Sequence, residues 1–258
     1  RQDVKTVLEK GERAARNWEL TTTRFLNPSL RKAVVDIVRD GGDVPEELAA
    51  REWGGYAGAE RSKLILGRSD IVHGCHYGVA ACRIKGNFKF EPTDHRSILG
   101  SLMGSGVNRD ELGDILILPD QTGALAFTSE QIAPYLQTEI TKVGRIPVSI
   151  ATLPWPKVQE LVDAAAQSKL KAGKVVNAVE ASLRFDAVAS SAFGISRAKV
   201  ATMIRKGTIQ LNWRERQINA EIVEGDIMSA RGIGRAQVIE VQELARKNKF
   251  SIRLLKFV

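Results

Sequence analysis

The feature that most limits this fold is a stiff break well past the middle of the chain. Pro154-Trp155-Pro156 sets two prolines one residue apart. Proline fixes its own φ, lacks an N–H and biases the preceding residue towards extended backbone. No helix or central strand can run through such a triplet, so structure must be built on either side of it. The charge divides near the same place. Residues 1–170 hold 22 Lys and Arg against 22 Asp and Glu, whereas 171–258 hold 16 against 8. The whole excess of +8 therefore lies in the last third, which makes that third the candidate face for a polyanion.

A length of 258 residues suits two or three small domains. No apolar run is long enough to span a membrane as a helix. Cys75 and Cys82 are too few for a disulfide framework and fit a reducing compartment.

The expected organisation is α+β in four stretches. Residues 1–72 read as a mostly helical domain: Val4, Val7, Leu8, Ala14, Ala15 and Trp18 recur at helical spacing. Asn27-Pro28-Ser29 opens a second helix carrying Val34, Val35, Ile37 and Val38. Gly41-Gly42-Asp43 is a turn before a short helix near Pro45, and Lys63–Leu66 a strand. Residues 73–153 read as strand–helix–strand–strand–helix–strand, with strands at 79–84, 114–118, 123–127 and 146–152. The helices there run from His95 to Met103 and from an N-cap at Ser129 to about Val143. That order predicts a ferredoxin-like, RRM-like sandwich, a shape many RNA-binding modules share. Residues 154–178 read as a linker, Ala-rich and helical up to Gly173, before a compact domain over 179–258.

In that last stretch Ala181–Phe193 is amphipathic and stops at Gly194. Ser196 suits the N-cap of a second helix, Arg197–Lys206, which turns Val200, Met203 and Ile204 inward. Strands follow at 208–212, 227–231, 236–241 and 251–257, with turns at Glu224-Gly225-Asp226 and Arg231-Gly232-Ile233-Gly234-Arg235. Arg184, Arg197, Lys199, Arg205, Lys206, Arg214, Arg231 and Arg235 are the candidate phosphate contacts, and Ser196 is a further candidate RNA-binding residue. Asn212 and Trp213 stand at the rim, where Trp213 either stacks on a base or packs over the end of the sheet. His95, Arg96 and Arg109 are candidates for a second RNA contact.

Arg184-Phe185-Asp186, Ser196-Arg197-Ala198-Lys199, Ile204 to Gly207, Leu211-Asn212 and Glu224-Gly225-Asp226 together resemble the S4 domain signature. Phe185 stands where leucine is usual, and Trp213-Arg214 where many such domains carry Gly-Lys. That second departure resembles the YlmH branch. So do Gly54-Gly55-Tyr56, Ala59-Glu60-Arg61, the run from His95 to Gly104, and Arg109 through Gly113-Asp114-Ile115-Leu116. Val179-Glu180-Ala181-Ser182-Leu183 looks most like the cyanobacterial and chloroplast members. The resemblance implies a monomeric factor without cofactor that binds rRNA and tRNA on the large ribosomal subunit. Its work would be ribosome quality control, in a bacterial cytoplasm or a chloroplast stroma. An RNA-modifying enzyme and an assembly scaffold, each using the S4 domain as a targeting arm, are the alternatives.

No catalytic constellation emerges, and the expectation is a protein that is not an enzyme. His73, Cys75, His76 and Cys82 lie close in sequence, but their spacing fits no paired zinc pattern and Cys82 falls in an apolar strand. No metal is expected there. Gly104-Ser105-Gly106 lacks the Gly-Lys-Ser/Thr continuation of a phosphate loop.

Overall fold

The first seventy residues combine two helices with a small sheet in the computed structural model, where the sequence suggests a mostly helical domain. The structure describes residues 2–41, 43–73, 77–89, 93–119, 121–244 and 249–257, with backbone alone at 2 and 168–172. Helix α1 (Gln2–Arg16) is followed by β1 (Thr21–Thr22), α2 (Pro28–Arg39), β2 (Leu48–Trp53) and β3 (Lys63–Arg68). The strands pair antiparallel in the order β1-β3-β2. Asn27 caps α2, its side chain accepting from Leu30 N at 2.8 Å. Ala15, Val34, Leu48, Leu64 and Leu66 form the core, with Val4, Val7, Leu8 and Val35 packed around them. The helix expected near Pro45 is instead a turn leading into β2, with Leu48 N bonded to Pro45 O. Leu, Ala and Glu favour helix, but a partner strand at β3 and burial of Leu48 outweigh that preference.

The next stretch runs β4 (Val79–Gly86), α3 (His95–Gly104), β5 (Leu112–Ile117), β6 (Gly123–Ser129), α4 (Ala133–Glu139), β7 (Lys142–Val143) and β8 (Ile146–Thr152). The sheet order is β5-β6-β4-β8-β7, with antiparallel neighbours throughout. The element order read from the sequence is present, with β7 added. Ser129 does not cap a helix. It ends β6 opposite Val79, its hydroxyl is buried, and a 3-10 turn precedes α4. That helix stops at Glu139 because Lys142-Val143 is drawn into a hairpin with β8, turning at Gly144.

Helices α3 and α4 cover one face of this sheet through Ile98, Leu102, Ala133 and Leu136, packed on Cys82, Ile84 and Ala126. Part of the other face is also covered. Phe25, Trp53 and Tyr56 from the first stretch, and Val158 and Val162 of α5 (Trp155–Ala172), close over Val79, Ala81, Leu125 and Phe127. Gly55 permits this approach: a Cβ there would lie 2.1 Å from Phe127, and its φ is +103°. The stretches 1–72 and 73–153 therefore share a core and belong to one unit, residues 1–168, while 169–258 form a second.

The expected linker 154–178 is structured. Pro156 lies in the first turn of α5, where its missing N–H removes no helical bond, so the triplet starts a helix as well as ending what precedes it. Strand β9 (Lys174–Glu180) then pairs with the last strand, so the second sheet begins before Val179. The second unit continues with α6 (Phe185–Phe193), α7 (Arg197–Arg205), β10 (Ile209–Leu211), β11 (Ile227–Ala230), β12 (Gly234–Leu244) and β13 (Lys249–Phe257). Its antiparallel sheet has the order β10-β11-β12-β13-β9. Phe185, Val188, Val200 and Ile204 of the helices pack on Ile209, Met228, Val238, Ile252 and Leu254 of the strands. Helix α6 starts at Phe185 and not at Ala181, because the loop before β11 pairs with its approach: Phe185 N bonds to Ala220 O and Ile222 N to Leu183 O. Among the described residues no helix is long and apolar enough to cross a membrane.

Candidate nucleic-acid interface

A buried carboxylate organises the start of both helices in the second unit. Asp186 lies in the first turn of α6 with its side chain 7% exposed. It accepts from Arg184 Nε at 3.1 Å and Nη2 at 3.4 Å, and from Arg197 Nε at 2.8 Å and Nη2 at 3.3 Å. Burial alone would raise its pKa, but the hydrogen bonds from Arg197 and then Arg184 outweigh it and hold the carboxyl below its ordinary range. The same contact raises the Arg197 pKa. Two guanidiniums, each about half exposed, are thus held on one carboxylate, and the group carries a net charge of +1. Forked donors of this kind match phosphate geometry.

From Arg197, α7 carries exposed Lys199 and Arg205, with exposed Lys206 at its C-cap. Ser196 occupies the N-cap position, but its side chain makes no capping bond. Arg231 is exposed in the turn after β11, its backbone N bonded to Thr208 O just beyond the end of the α7 face. Arg235 does not join it. Neighbouring Ala236 packs into the core under the helices, so alternation points Arg235 to the opposite face of the sheet.

Asn212 and Trp213 form the centre of a tight turn in which Leu211 and Arg214 exchange both backbone bonds at 3.0 Å. Both have positive φ, 51° and 59°. Asn212 serves the fold, since its Nδ2 donates to Asp226 at 2.7 Å and its Oδ1 accepts from Ile227 N at 3.0 Å. Both polar ends of its side chain are thus held within the turn. Trp213 is half-exposed in a backbone conformation costly for a bulky residue, about 1–3 kcal/mol.

In the first unit, His95 and Arg96 are exposed on the first turn of α3, which Asp94 caps by accepting from Ser97 N at 2.7 Å. Arg109 is turned inward. It donates to Leu112 O at 2.5 Å and Gly113 O at 3.3 Å, and burial with neighbouring Arg61 lowers its pKa to about 10. Cys82 is buried and burial pushes its thiol up. Cys75 and His76 lie outside the described residues, among which no metal-holding group of His, Cys, Asp and Glu occurs.

Two sequence families match the first unit. Residues 1–71 match the model for the YlmH N-terminal region, and 74–157 the one described as "Putative RNA-binding domain in YlmH". The chain belongs to the YlmH family. It is similar to the ribosome-associated protein quality control protein P2 of Bacillus subtilis, at 29% identity over 91% of this chain and 86% of that one. A solved structure, the cell division protein ylmH from Streptococcus pneumoniae, is 25% identical and covers 59% of this chain and 92% of its own, with a TM-score of 0.46.

Proposed function

We propose that this protein is a non-catalytic RNA-binding factor that works on the ribosome, gripping structured RNA through an S4-type domain in its second unit. The observation that carries this reading is the pair of arginines held on Asp186 at the head of a helix lined with further cations. RNA binding and ribosome association are supported by the matched RNA-binding model and by the ribosome-associated relative. Large-subunit rRNA beside tRNA is the partner we infer, for a monomer acting in quality control without cofactor in a bacterial cytoplasm or chloroplast stroma. The sandwich of residues 79–152 is assigned a ferredoxin-like, RRM-like role as a second RNA-contacting module.

A test must avoid Arg197, because glutamate there would set a second carboxylate against buried Asp186. Lys199→Glu with Arg205→Glu changes only exposed positions. Affinity for a labelled rRNA hairpin should fall about tenfold or more at moderate salt, and the slope of log K against log salt should shrink by about 2. The thermal midpoint should stay within about 4 °C, since exposed substitutions alter stability by about 0.5 kcal/mol or less. Unchanged affinity and slope would remove α7 as the RNA face. Sedimentation of the wild type with large subunits in a sucrose gradient, and its loss in the double variant, tests the ribosomal half.

A further inference from the structure

We propose that the first unit carries a second RNA-backbone site, on the open end of its five-stranded sheet, centred on Lys85 and Lys142. The overall neutrality of residues 1–170 conceals it. Residues 71–90 contain Arg83, Lys85 and Lys89 with no acidic residue, and 140–159 contain Lys142, Arg145 and Lys157, again with none. The strand register brings parts of these two windows together. Arg83 is paired with Ala151 and Lys85 with Ser149 across β4 and β8, and Lys142 with Pro147 across β7 and β8.

Their in-between neighbours Ile84, Ile150 and Val143 all enter the core under α3 and α4. Alternation therefore puts Arg83, Lys85, Ser149, Pro147 and Lys142 together on the face without helices. The apolar cluster of Phe25, Phe127 and α5 covers the other end of that face, and this end lies beyond it. Lys85, Lys142, Pro147 and Ser149 are exposed, and Arg83 bonds to Thr122 Oγ1 at the rim. A cleft of about 570 Å³ runs here, lined by Lys85, Asn87, Lys89, Gln121, Thr122 and Ser149 among others.

The chemistry of this surface selects the partner. Cations stand on β4 and β7 with β8 between them, a span of roughly 10 Å at ordinary strand spacing. Between them on β8 lie Pro147 and the Ser149 hydroxyl, Asn87, Gln121 and Thr122 add amide and hydroxyl groups beside Lys85, and no carboxylate lines the cleft among the described residues. None of the large exposed apolar side chains falls there, so the apolar centre of a protein interface is missing. Phe127, which would be the stacking residue of an open sheet, is fully buried. The site reads phosphate and sugar and not bases, and it positions the chain on RNA without choosing sequence.

This site rests on the RNA-binding reading above but on different residues, so the two can fail separately. The probe is a labelled RNA hairpin with a single-stranded tail, titrated with the full chain over a range of salt. Lys85→Glu with Lys142→Glu should weaken binding about tenfold and reduce the salt slope by about 2. Lys85→Gln with Lys142→Gln should give a smaller loss in the same direction, and both variants should melt with the wild type. Combined with Lys199→Glu and Arg205→Glu, the losses should add if the two sites bind independently. Wild-type affinity and slope in Lys85→Glu with Lys142→Glu overturns this site and leaves the α7 face standing. A loss there alongside a silent α7 variant supports this site and overturns the other, and a wild type that fails to bind at low salt overturns both.

Discussion

Replacing Asp114 by alanine should destabilise the first unit by about 3 kcal/mol, a large effect for a side chain that is only part-buried. Asp114 Oδ2 accepts from Tyr56 OH at 2.8 Å and Glu60 N at 2.7 Å, and Oδ1 from Arg61 N at 3.1 Å. Arg61 in turn donates to the carbonyls of Leu112 at 3.0 Å and Phe25 at 2.8 Å. Burial lowers the pKa of Arg61, and the negative charge of Asp114 acts against that shift. Alanine would leave two backbone donors without their acceptor and two half-buried arginines, 61 and 109, facing each other with less compensation. Because these bonds tie residues 56–61 to β5, their loss should loosen the first stretch from the sheet as a whole. Urea denaturation followed by tryptophan fluorescence would show a lowered midpoint, and Asp114→Asn, which keeps an acceptor, should recover part of it. A midpoint equal to wild type would mean this hub adds no net stability.

The same hub shows which parts of the fold the sequence discloses. Gly54-Gly55-Tyr56, Ala59-Glu60-Arg61 and Arg109 through Asp114 stand out as motifs, and the structure gives them one shared location. Their spacing alone does not say whether they bind a ligand or each other, and Arg109 accordingly reads as a surface contact until its carbonyl partners are seen. Elements closed by local chemistry are legible: α6 ends at Gly194 in the left-handed region, and the turn before β11 needs Gly225 at φ +86°. Elements that exist only through a distant partner are not. Strand β2 is written in helix-favouring residues and is held by β3, and β9 pairs with a strand some seventy residues later. The row of Lys85 and Lys142 is hidden for the same reason, since register and not composition places those residues on one face. Two acid-free windows are the available signal.

Asp186 carries the second large effect, and it couples stability to binding. Asp186→Ala should cost the second unit about 2 kcal/mol, below the range for a fully buried pair because both arginines are half exposed to water. It should also weaken RNA binding although it removes a negative charge, because Arg184 and Arg197 would no longer be held side by side. A simple charge argument predicts the opposite sign, so the hairpin titration separates the two accounts. Acid gives an independent reading. The carboxyl titrates below its unfolded value of about 3.9, so its stabilisation is complete above that pH and is lost as pH falls through the folded pKa. Denaturation midpoints of the wild type measured between about pH 2 and 6 should therefore drop on the acid side. In Asp186→Asn the amide cannot titrate, so that variant should start lower at neutral pH and lose less on acidification. If both proteins fall in parallel, the arginines are not ordered by this charge, and the pair at the head of α7 would have to be held by packing alone.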